Sequence, residues 1–186
     1  MSAISTTQRN ILIGIGIAFA LTGIIIVFIK KNAIMDFVID ANSEKKIMTL
    51  HPKVRDSARL FLKKAKEQGV NLIITSGNRS YSEQDALYAK GRTAPGAIVT
   101  NAKAGESSHN FATAIDVVEV VNGKANWNGD WDKIAKIGKS VGFAWGGDWQ
   151  NFSDKPHFEM NFGHTQSQLR NLIASGKTKN GFVDLG

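Results

Sequence analysis

The sequence predicts an α+β fold, and three observations carry that prediction. Amphipathic stretches of helical period recur with start and stop signals, short β-branched runs lie between them, and Asn122-Gly123 marks a hairpin turn. In "KVRDSARLFLKKAKEQG", Val54, Ala58, Phe61, Leu62 and Ala65 share one helical face and Gly69 ends the helix. "VNLIIT", residues 70–75, reads as a buried strand. "SGNRS" is a turn, after which Ser80 and Glu83 form the capping-box pattern of a helix running through Tyr88 and closed by Gly91. "ATAIDVVEVVNGK" alternates as a strand leading into the hairpin. A further amphipathic helix lies in "DWDKIAKIGKSVG", with Asp130 as N-cap and Gly142 as stop. "PHFEMNF" alternates as a strand, and Thr165 with Gln168 caps a last helix carrying Leu169, Leu172 and Ile173.

The chain has 186 residues, 42% of them hydrophobic, enough for one compact domain with a core and too many for wholesale disorder. It has no cysteine, which excludes disulfides and thiolate-bound metal, so any zinc must rest on His, Asp or Glu. The formal net charge of +7 calls for an anionic partner: nucleic acid, anionic lipid or a wall polymer. The lysines form no long block and are not interleaved with aromatics, so nucleic acid is not expected.

"ILIGIGIAFALTGIIIVFI", residues 11–29, is uncharged and about as long as a helix that crosses a bilayer. No polar face appears in it at helical spacing, so it is read as an uncleaved transmembrane helix with lipid as its partner. The expected organisation is a tail over 1–10, the transmembrane helix over 11–29 and a polar tether over 30–50. A folded domain follows over 51–164, then a C-terminal helix and tail over 165–186. Lys30, Lys31, Lys45 and Lys46 outnumber Arg9 and the terminal amine, which by the positive-inside tendency would leave the domain in the cytoplasm.

There are four histidines. In "GESSHNFATAID", His109 precedes Asp116 across small residues, and in "FSDKPHFEM", Asp154 precedes His157, with Pro156 forcing an extended approach. Two imidazoles and one carboxylate suit Zn²⁺ with one position left open, and Asp154 nearby could take a proton. Spacing alone does not decide this, because a lone His near an Asp is more often a surface or capping residue. Glu159 shares a strand face with His157 by the two-residue period, and is either a supporting carboxylate or a solvated edge charge. His51 and His164 are read as ordinary surface residues. Trp145, Trp149, Phe111 and Phe158 are read as core or groove packing.

Ser107-x-His109-x-x-Ala112-x-Ala114-x-Asp116, followed by Asp154-x-x-His157, resembles the signature of the M15 zinc peptidases. That family includes D-Ala-D-Ala carboxypeptidases, related dipeptidases and the L-alanyl-D-glutamate endopeptidases of phage endolysins. "SGNRSYSEQDALYAKGRTAPGAIVTNAKAGESSHNFATAID" and "FAWGGDWQNFSDKPHFE" are similar to the last group over roughly residues 50–160. The resemblance implies a hedgehog/D-Ala-D-Ala-peptidase-type fold, a small antiparallel sheet with flanking helices. It implies Zn²⁺ on His109, Asp116 and His157, Asp154 as catalytic base, and Arg79 as the residue that binds a substrate carboxylate or the oxyanion. Ser107 and Gln84 fall at motif positions and are expected to orient the ligands or the peptide. The family usually has glycine at the position of Ala112 and often tyrosine at that of Phe111. If the backbone at 112 needs a positive φ, alanine is expected to displace His109.

The expected function is membrane-anchored, zinc-dependent hydrolysis of the peptide stem of peptidoglycan at the L-Ala–D-Glu bond, with a phage or prophage origin. The alternatives are a D-Ala-D-Ala carboxypeptidase, a non-catalytic wall-binding module with this fold, and a holin-like protein whose apolar segment is the active part. Such a hydrolase belongs on the cell-wall side of the membrane or in a virion membrane, against the vote of the flanking lysines. Oligomeric state is not legible.

Overall fold

The computed structural model describes residues 38–186. The expected transmembrane helix lies outside the described residues, among which no helix is long and apolar enough to cross a membrane.

The first helix, α1 (Ala41–Thr49), occupies what was expected to be tether. Asp40 caps it by accepting from the backbone N–H groups of Asn42 and Ser43. Its buried face is only Ser43 and Ile47, too sparse to stand out in the sequence. The Ser43 hydroxyl is buried against the sheet, where it accepts from the Ile74 amide at 2.8 Å. Next, α2 (Pro52–Glu67) buries the five residues expected of it. Its N-cap is His51, whose Nδ1 accepts from the Lys53 amide while Nε2 donates to the Val183 carbonyl. His51 is thus a buried structural residue, correcting the surface reading.

The strands are β1 (Leu72–Ser76), β2 (Ala114–Val121), β3 (Lys124–Asn126), β4 (Ala144–Trp145) and β5 (His157–Glu159), all paired antiparallel. Their order is β1-β2-β5-β4, and β3 forms the expected hairpin on β2 through Asn122 and Gly123, both at positive φ. The expected strand over 156–162 is shorter than its pattern, because Phe162 and Gly163 both take positive φ and turn the chain away. Helices α3 (Tyr81–Ala89) and α4 (Trp131–Lys139) begin at the expected caps, Ser80 and Asp130.

The core lies between the sheet and α2 and α4. Phe61 and Phe158 meet edge to face with ring centroids 4.8 Å apart, and a Cβ on Gly138 would sit 2.5 Å from the Phe158 ring. The C-terminal segment closes a second cluster. Leu169 of α5 (Gln166–Ala174) and Val183 of the β6 (Thr178–Lys179)–β7 (Phe182–Val183) hairpin bury against Phe111. Packing is therefore continuous across the boundaries expected at 51 and 164, and one compact unit spans Ile39–Gly186.

Candidate metal centre and active site

Three elements converge on one end of the sheet. Asp116 is the third residue of β2, opposite Ser76 of β1 on one side and His157 of β5 on the other. The pairing register of β1 on β2 shifts between Ile74 and Ser76, next to this point. His109 comes from a 3₁₀ turn, Ser108–Phe111, that Ser107 caps and Ala112 ends.

His109 Nε2 lies 3.2 Å and His157 Nδ1 3.3 Å from the same Asp116 oxygen, and the three donor atoms fit within 4.8 Å of one another. Donors on a tetrahedral zinc, with bonds of about 2.0–2.1 Å, stand roughly 3.3 Å apart. The opposite ring nitrogens fix the tautomers. His109 Nδ1 is 2.7 Å from the Gly77 carbonyl, which can only accept, so Nδ1 carries the hydrogen. His157 Nε2 is 3.1 Å from Glu159, whose carboxyl lies below its ordinary range: burial opposes its charge, but His157 and Ser108 prevail. Neutral rings so arranged turn two bare lone pairs toward a carboxylate. Only a cation or protons can occupy that point, and the donor set fits a zinc ion.

The titration directions show the same demand. Burial works against a charged Asp116, yet the two imidazoles hold its carboxyl well below the usual carboxylate range. Burial likewise opposes a proton on His157, but bonds to Asp116 and Glu159 raise it to about 9. Asp154 moves the other way, pushed up by burial and then by the charge of Asp116.

The centre opens into a cleft of about 400 Å³ lined by Arg79, Ser107, the three donors and Asp154. Arg79 is held from behind, donating to Gln84 Oε1 at 2.9 Å and Ser76 Oγ at 3.0 Å, with Nη2 3.8 Å from the second Asp116 oxygen. Gln84 is fully buried and donates onward to the Ala102 carbonyl at 2.7 Å. The Ser107 hydroxyl accepts from the His109 amide at 3.4 Å. All seven sequence-predicted site residues therefore meet in or directly behind one cleft.

Four supporting residues escaped the sequence reading or were left open by it. Glu159 is the acceptor behind His157, which the two-residue period had offered as one of two readings. Ser108 donates to Glu159 at 2.7 Å and accepts from Asn161 and Gln166, so its hydroxyl is saturated. Gly77 contributes only its carbonyl, and backbone acceptors leave no mark in residue type. Gly146 is a contact point: a Cβ there would lie 2.6 Å from the Asp154 carbonyl oxygen and 3.0 Å from His157 Cβ. Gly146→Ala is expected to push both residues out of place and lower hydrolytic kcat/KM about 100-fold beside an unchanged circular-dichroism spectrum.

Ala112 does sit at positive φ, 59°, yet His109 is not displaced from Asp116. The left-handed conformation costs alanine about 1–2 kcal/mol. Glycine would instead bring about 0.5–1 kcal/mol of backbone entropy cost and lose a buried methyl worth about 0.8 kcal/mol. The opposing effects nearly cancel. Ala112→Gly is expected to shift stability by under about 0.5 kcal/mol in urea unfolding, and a larger change would show that another force holds this turn.

The sequence profile of the family described as D-alanyl-D-alanine carboxypeptidase matches residues 100–160. The peptidoglycan L-alanyl-D-glutamate endopeptidase CwlK of Bacillus subtilis (strain 168) is 39% identical over 141 residues, covering 70% of this chain and 80% of that protein. The L-alanyl-D-glutamate peptidase of Listeria phage A118 is 26% identical over 117 residues, 61% of this chain but only 38% of that protein. The crystal structure of the Serratia marcescens L-Ala D-Glu endopeptidase ChiX superposes with a TM-score of 0.54 at 26% identity, covering 70% of this chain and 95% of that one. A small antiparallel sheet that gathers two histidines and an aspartate in an open cleft, beside a free carboxylate and a buttressed arginine, defines a peptidase with a metal-binding centre. The chain belongs to the M15 peptidase family.

Proposed function

We propose that this chain is a zinc-dependent endopeptidase that cleaves the peptide stem of peptidoglycan between L-alanine and D-glutamate. The observation that carries the reading is the convergence of His109, Asp116 and His157 in a chain 39% identical to an endopeptidase of that specificity. His109, Asp116 and His157 would hold the ion. When bound, zinc supplies Lewis acidity that polarises a carbonyl and makes a water molecule more acidic.

The remaining work belongs to the chain's own side chains. Asp154, which lines the cleft beside the donors, accepts the proton of the attacking water and returns one to the departing amine of D-glutamate. Arg79, pinned by Gln84 and Ser76, keeps N–H donors free for the substrate carboxylate beside the scissile bond. The positive surface favours an anionic wall, an attraction that salt weakens.

Residues 11–29 would hold the enzyme on the membrane with its domain on the wall side. Proteolysis of the domain on intact spheroplasts tests that orientation, and protection would reverse it. Digestion of purified walls tests the bond. New carboxyl ends on L-alanine together with new amino ends on D-glutamate are expected. Release of free D-alanine without them would replace this reading with the carboxypeptidase one, which the description of the matching family favours.

A further inference from the structure

The cleft does not end at the donors. Arg79 and Leu87 also wall a second groove between α1 and α3, which carries Lys45, Lys46 and Lys90. The one acidic side chain lining that groove among the described residues, Glu83, is engaged with Ser80 in the helix cap. Val99, Phe152 and Asp154 are shared with a third depression, which adds Trp127, Trp131 and a single cation, Lys155, next to Asp154. Trp127, Phe152 and Val99 are each about half exposed, at 54%, 48% and 52%. The result is one trough with a cationic arm beyond Arg79, the donors in the middle, and an aromatic arm beyond Asp154.

A peptidoglycan stem has the same asymmetry about its first peptide bond. On the L-alanine side lies a sugar, an amphipathic ring that stacks on aromatic faces. On the D-glutamate side lies a run of carboxylates. Running the substrate the other way would set those carboxylates against exposed aromatics, where Asp154 offsets the single cation Lys155, and leave Lys45, Lys46 and Lys90 facing sugar. That mismatch costs the favourable pairings at both ends at once.

We propose that the stem crosses the site in one direction, with its sugar over Trp127 and Phe152 and its carboxylate-bearing end along Lys45, Lys46 and Lys90. The inference rests on the substrate class proposed above and adds two recognition arms with separate ligands. It also gives α1 a role in specificity, because two of the three lysines stand on that helix.

The test uses the full chain with Asp154→Asn to stop turnover, and two soluble probes measured by calorimetry. One is the sugar-free tetrapeptide L-Ala–D-Glu–diaminopimelate–D-Ala; the other is the disaccharide carrying only L-Ala–D-Glu. Lys45→Glu with Lys46→Glu is expected to weaken the tetrapeptide about tenfold and the disaccharide probe less than about twofold. Lys90→Glu, at the C-cap of the facing helix α3, should act in the same sense and guards against a folding defect in α1. Trp127→Ala with Phe152→Ala should weaken the disaccharide probe about tenfold and spare the tetrapeptide. The inverse pattern, equal losses on both probes, or no binding of either would overturn the proposal. The bond cut by the chain with Asp154 intact is read separately from its digestion products, so the substrate reading and the direction of binding can fail independently.

Discussion

Asp154→Asn is expected to lower kcat/KM for wall digestion by about 10²–10⁴-fold while the protein still binds one zinc ion. Asp154 lines the cleft beside the donors without being one of them, so its loss should not release the metal. Without a bound ion, burial and the neighbouring Asp116 charge raise its pKa. Asparagine keeps the shape and cannot take the proton. Turnover and zinc content measured on the same sample separate the possibilities. Near-normal turnover would remove Asp154 from proton transfer, and joint loss of zinc and turnover would make it a ligand.

Removing the metal is expected to have the other large effect: a chelator should abolish activity, and zinc should restore it. The strength of zinc binding should depend steeply on pH. With no ion present, His157 holds a proton up to about pH 9, and zinc must displace it. One displaced proton makes apparent affinity rise about tenfold per pH unit up to that point.

The stability of the metal-free protein should follow the opposite course. His157 is raised in the folded state, so its contribution is complete below the unfolded value of about 6.5 and fades as pH climbs through about 9. Asp116 is depressed, so its contribution is present above an unfolded value of about 3.9 and fades as pH falls below it. Metal-free protein should therefore be most stable in mildly acidic solution, and zinc should stabilise it more at pH 8 than at pH 6. Thermal melts with and without zinc at the two pH values check this, and an equal zinc-induced shift at both would show that no proton leaves.

The candidate site was legible through the family resemblance, since residue types and spacing alone did not decide it. Histidines are few here, and two motifs in matching order placed His109, Asp116, Asp154 and His157 before any coordinates. The helices α2, α3 and α4 were legible because periodic apolar faces and polar caps are local signals. What stayed hidden is what depends on distant partners. Helix α1 buries a serine that satisfies a strand amide far along the chain, and such a contact has no periodicity. His51 looked like a surface residue because its partner, the Val183 carbonyl, is 132 positions away. Ser108 and Gly77 support the donors through a hydroxyl and a carbonyl that any loop might carry. Ala112 marked its own exception, since only the folded turn reveals that the position is left-handed and still tolerated.

The seat of α1 has one more consequence. Thr49 accepts from the Asn78 amide at 3.3 Å, and the last turn of the helix lies so close to Gly77 that a Cβ there would meet the Lys46 carbonyl at 3.0 Å. That same glycine steadies the His109 imidazole. Force applied along the chain ahead of Asp40 would thus arrive, through a helix of nine residues, at the loop that aims one of the three donors. A fragment cut to start at residue 51 would lack this brace and is expected to hold His109 less firmly.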